Sequence, residues 1–144
     1  GPIYYFTKTP VNLLLGADPG THNNVDGDYF NGKLDEFTIW SSALQEKEVA
    51  NLYNKVMSPG DSGKDNLVSW WKLGEEDVYP GIKDHQGKND GQMMHMSQDD
   101  FRTKVTTHNK EKQFAPSPKS CLFNGHSQYI RVESALAGTG YKLP

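Results

Sequence analysis

Two kinds of chemistry are open to the side chains of this sequence. The run Asn24-Val25-Asp26-Gly27-Asp28 sets an oxygen-bearing side chain at every second position. Such oxygens are what a hard cation like calcium takes, which makes Asp26 and Asp28 candidate ligands. As an EF-hand the loop fails, because Tyr29 stands where the sharp turn needs glycine and no glutamate closes it. The second chemistry is sugar recognition. Trp40, Trp70 and Tyr129 carry rings that can stack on the apolar face of a pyranose. Asn23 and Asn24, with Asp26, lie in a loop able to read hydroxyls. The same rings serve as packing in many folds, and Trp71 and Leu73 read as core.

Catalytic constellations are missing. The histidines (His22, His85, His95, His108 and His126) lack zinc-ligand spacing and read as solvated loop residues. The serines lack a nucleophile-elbow context, and no glycine-rich phosphate loop follows a strand. Cys121 is bracketed by strand-like residues.

The elements that must position these residues are mostly short strands. Residues 4–7 and 11–16 read as strands from their β-favouring side chains. Residues 18–28 form a polar loop. Asn31-Gly32 predicts a hairpin turn leading into a strand over 33–40. In that strand Leu34, Glu36, Thr38 and Trp40 share one face, and Lys33, Asp35, Phe37 and Ile39 the other. Ser42, three residues before Gln45, predicts a capping box and a helix ending near Tyr53 or Asn54. Val49, Leu52 and Tyr53 give it a short apolar stripe. Residues 57–66 have linker composition. A strand follows over 67–73, with Leu67, Ser69, Trp71 and Leu73 on one face. Residues 84–91 predict a tight loop, 92–96 a short strand, 99–119 a long polar insertion, and Asn124-Gly125 a hairpin within 120–132.

Composition supports this reading. Only 35% of residues are hydrophobic, while glycine numbers 14 and proline 8, a balance suited to short strands joined by turns. The 144 residues suffice for one core without disulfide staples, and a single cysteine permits no internal disulfide. A formal net charge of −3 leaves no electrostatic footprint for nucleic acid, and no apolar run is long enough for a membrane span. Gly1-Pro2 has the form of a tag-removal scar and is left out of the fold reasoning.

Two stretches resemble a known family. Phe30-Asn31-Gly32-Lys33-Leu34-Asp35-Glu36-Phe37-Thr38-Ile39-Trp40, then Ser42-Ala43-Leu44 and the helix to Leu52-Tyr53, resembles the C-terminal signature of laminin-G-like domains of the concanavalin-A-like lectin/glucanase superfamily. Asn66-Leu67-Val68-Ser69-Trp70-Trp71-Lys72-Leu73-Gly74-Glu75 resembles the family's opening strand. The stretches 83–91 and 121–132 are similar to its next two segments. The order is inverted, with the family's end first and its beginning second. Residues 3–54 correspond to the C-terminal part of a sandwich, 55–65 to a linker and 66–144 to the N-terminal part. The chain is either a window across two tandem repeats or one permuted domain in which 3–54 closes on 66–144.

The resemblance implies an all-β antiparallel jelly-roll sandwich with one short helix. It also implies a non-catalytic recognition or adhesion module on an extracellular, cell-surface or virion face, binding a glycan or glycoprotein. The alternatives are a structural virion or appendage subunit held by neighbouring copies or adjoining repeats, and a degenerate glucanase. The glucanase strand needs glutamates at alternate positions. Here that register holds Lys33, Asp35 and Phe37, while Asp35 and Glu36 are adjacent and point to opposite faces. The family's frequent calcium site implicates Asp35. The family's other acids are replaced here by Asn124 and Gln128.

Overall fold

The computed structural model describes residues 13–18, 28–60, 66–103 and 119–133. Within them the chain runs β1 (Leu13–Leu15), β2 (Asn31–Leu34), β3 (Phe37–Trp40), helix α1 (Glu46–Tyr53), β4 (Leu67–Trp71), β5 (Gly81–Ile82) and β6 (Gly91–Met94). A 3-10 turn (Gln98–Asp100), β7 (Phe101–Thr103), β8 (Lys119–Asn124) and β9 (Tyr129–Val132) follow. The strand expected over 4–7 lies outside the described residues.

All pairings are antiparallel, in sheets ordered β1-β9-β6-β5, β2-β8-β7 and β3-β4. Each described strand of 13–40 takes its partner from 67–132. Leu14 lies opposite Arg131, Gly32 opposite Phe123 and Thr38 opposite Trp70. The core draws on every sheet. Leu15, Ile82, Met93, Ile130 and Val132 come from the four-stranded sheet, Cys121 and Phe123 from β8, and Trp71 from β4. Period-two alternation does this directly in β4, where Leu67, Ser69 and Trp71 are buried and Val68 and Trp70 are half-buried. The sheets meet so closely that a Cβ on Gly16, at φ +90°, would sit 2.8 Å from the Phe123 ring.

Five local expectations are corrected. Asn31-Gly32 is not a hairpin turn: both residues lie inside β2, opposite Asn124 and Phe123. Glycine there makes room for Phe30, whose ring a Cβ on Gly32 would approach to 3.0 Å. The chain turns instead at Glu36, which takes φ +51°. That kink resets the period, so Leu34 packs on the core together with Phe37 and Ile39 rather than opposite them. The helix starts three residues later than expected. Gln45 is its cap, donating its backbone N–H to Glu48 Oε2 at 2.8 Å, while Ser42 Oγ accepts from Asn66 Nδ2 at 2.6 Å. Asn124-Gly125 joins two different sheets rather than forming a hairpin, and the region expected as an insertion supplies β7. The helix end at Tyr53, with Asn54 as C-cap, is as expected.

Candidate functional site

The structure distributes the expected ligand-binding residues between sheets. Trp70 stands on β4, and Trp40 on β3 donates its indole N–H to Thr38 Oγ1 at 2.9 Å. Thr38 is the register partner of Trp70, so the two indoles belong to one two-stranded sheet. Tyr129 is on β9 of the four-stranded sheet, beside the His95 ring at 6.0 Å. Asn23, Asn24 and Asp26 lie outside the described residues. Asp28 is exposed, and its carbonyl accepts the Asp18 N–H at 3.1 Å. Asp35 sits at the corner between β2 and β3. Among the described residues no three acidic, histidine or cysteine side chains converge.

Trp70 is the centre of a charged cluster. Its indole N–H donates to Glu36 Oε2 at 2.7 Å, the Lys72 ammonium stands 5.0 Å from its ring centre, and the His85 ring lies at 5.6 Å. Glu76 is shared, 3.7 Å from both Lys72 Nζ and His85 Nδ1. Burial pushes the Glu36 carboxyl above its usual value, and Asp35 adds to this; the Trp70 hydrogen bond, Lys55 and Lys72 oppose it. Burial pushes His85 below its usual value, helped by Lys72 and Lys83. The kink that Glu36 makes is what brings its carboxylate to the indole. Trp70 is thus engaged at its nitrogen and over its ring.

The loop after β5 is tied down by one buried carboxylate. Asp84 accepts the backbone N–H groups of Trp70, Gln86, Gly87 and Asn89 at 3.0–3.2 Å. Burial raises its pKa, but these donors, with the Ser69 hydroxyl, outweigh burial and leave the carboxyl below its usual value. Asn89 continues the network, donating to Ser69 Oγ at 2.9 Å and accepting the Trp71 indole N–H at 2.8 Å. This polar set is structural: it fastens residues 84–90 to β4.

A groove lies elsewhere on the surface. An open groove of about 850 Å³ is lined by residues 77–79, by Gln98 and Asp99 of the 3-10 turn and by β7. That volume is in the range of small-ligand clefts. Tyr79 is 41% exposed, yet its hydroxyl donates to Met96 O at 2.8 Å, so a partly exposed side chain is fixed at both ends. Phe101, Gln98, Asp99, Arg102, Thr103 and Lys119 complete the lining. Tyr79 is not among the residues that the sequence singles out. The signal was its setting, Val78-Tyr79-Pro80 interrupting an otherwise polar, turn-rich stretch. The groove as a whole could not be read, because its lining comes from three separated segments.

No protein-family model, curated protein or solved structure matches the chain.

Proposed function

We propose that the chain is a non-catalytic recognition module of the laminin-G-like jelly-roll type, displayed on an extracellular, cell or virion surface, which binds glycan in the Tyr79 groove. The observation that carries this reading is the Tyr79 ring, held through its hydroxyl and 41% exposed, beside the exposed side chains of Asp99 and Arg102. A ring with few rotamers to lose, facing donors and acceptors, is what stacking on a pyranose asks for. In this proposal residues 3–54 and 66–144 form one permuted domain, which the β1-β9, β2-β8 and β3-β4 pairings support. The test is a glycan array with the whole chain and with Tyr79→Ala. Retained binding by a folded Tyr79→Ala protein contradicts the site.

The calcium expected at Asp35, Asp26 and Asp28 is a separate part of the proposal. The family's other acid positions do not fit the ion here. Asn124 Oδ1 accepts the N–H groups of His126 and Ser127, and Gln128 Oε1 accepts that of Asn124. A melting temperature raised by calcium and restored by chelator is the expected sign. An unchanged melting temperature removes the ion.

One observation favours a second reading, a structural subunit covered by neighbouring copies. Val49 and Tyr53 on α1 are 51% and 81% exposed, so the helix stripe faces outward. Light scattering that shows a defined oligomer, disrupted by Tyr53→Lys, would put this reading first.

A further inference from the structure

Resting on the glycan reading, we propose that the groove selects a neutral saccharide, with Asp99 and Arg102 as its hydroxyl-reading pair. Among the described residues four charged side chains line the groove, Asp77 and Asp99 against Arg102 and Lys119, and they cancel. A cleft without net charge does not concentrate an anionic or a cationic ligand. Asp77 is already committed, its two oxygens accepting the N–H groups of Gly74 and Lys83 at 2.8 Å. Asp99 and Arg102 are exposed, and neither side chain has a hydrogen-bond or ion-pair partner among the described residues. One accepts and the other donates, the complement of a sugar hydroxyl, which does both. Gln98 offers both functions in one side chain.

The platform and the pair are held to each other. Tyr79 is bound through its hydroxyl to Met96 O, and Met96 precedes the 3-10 turn that carries Gln98 and Asp99. Ser97 caps that turn by donating its backbone N–H to Asp100 Oδ2 at 2.8 Å. Arg102 follows on β7, whose register opposite Ser120 fixes its place. Among the described residues β7 is an edge strand, which offers backbone groups to an extended peptide as well. A three-residue edge with a charged residue at its middle discourages strand addition, so the saccharide is favoured.

The test is calorimetric titration of the whole chain with neutral tetrasaccharides (gluco-, manno- and galacto-configured). Parallel titrations use tetragalacturonate, a heparin tetrasaccharide and a Thr-Val hexapeptide, each at two salt concentrations. The expected result is binding of at least one neutral sugar with little change between salts. Tyr79→Ala, Asp99→Ala and Arg102→Ala should each weaken it about tenfold or more, and Tyr79→Phe, which keeps the ring, by less. Preferential, salt-sensitive binding of an acidic sugar overturns the neutral class and leaves the glycan reading standing. Binding of the hexapeptide alone, or of no sugar, overturns both.

Discussion

Glu36 Oε2 accepts the Trp70 indole N–H at 2.7 Å across 34 residues of chain, and both residues are half-buried. The bond links the corner between β2 and β3 to β4. Glu36→Ala strands the indole donor and should cost about 1–3 kcal/mol. Glu36→Gln keeps an acceptor and should cost less. Urea denaturation at constant pH measures both. Equal costs for the two variants would show that the hydrogen bond contributes nothing.

The Glu36 carboxyl also predicts a pH dependence. Its pKa is raised in the fold, so the fold binds this proton more tightly than the unfolded chain does. The contribution is complete below the ordinary glutamate value of about 4.3 and is lost as pH rises through the folded value. Unfolding free energies across that window should therefore show a falling component that Glu36→Gln removes. A wild-type profile identical to that of Glu36→Gln contradicts it.

Asp84 acts in the opposite direction. Its pKa is lowered, so its contribution is full above the ordinary aspartate value of about 3.9 and is lost as pH falls through the folded value. His85, also lowered, adds to acid lability, since its neutral form is the one the fold favours above about 6.5. Asp84→Ala leaves four backbone donors short of their acceptor and should cost about 3 kcal/mol or more. Thermal melts at neutral pH test this, and a loss under 1 kcal/mol would deny the carboxylate its fastening role.

Legibility in the sequence followed the reach of each interaction. The faces of β4 and the end of α1 obey local periods, and both were readable. So was the tight loop over 84–91, from its Asp, Gly and Asn content. The kink at Glu36 was not, because it is stabilised by Trp70 and Leu34, Phe37 and Ile39 packing on a distant core. Asn31-Gly32 has the composition of a turn, yet pairing with β8 and the Phe30 ring hold it extended in β2. Ser42 matched the spacing of a cap but is occupied by Asn66, which leaves the role to Gln45. Of the site, Trp70 was visible as an aromatic. That its nitrogen and ring are already engaged depends on residues remote in the chain.

Close packing of the two stretches gives a third stability test. Gly16→Ala places a methyl 2.8 Å from Phe123 at a φ of +90°, which overpacks the core and strains the backbone. A loss of about 1–3 kcal/mol is expected. Phe123→Leu should relieve part of it, so the double variant should lose less than the sum of the singles. Strict additivity would separate Gly16 from Phe123.

Cys121 is fully buried, and burial pushes its thiol up to about 12. The native protein should resist iodoacetamide at pH 8 and react promptly in denaturant, because the thiolate is the reactive form. Mass spectrometry reads the difference. Rapid alkylation of the native protein contradicts the core position.

The central claim is that ligand enters at Tyr79 and not at the indoles of β3 and β4. Amide chemical-shift mapping during titration with the tetrasaccharide that binds tests it most directly. Shifts gathered at residues 77–79, 98–103 and 119 are expected. Shifts gathered at Trp40 and Trp70, or around Tyr129, would contradict it.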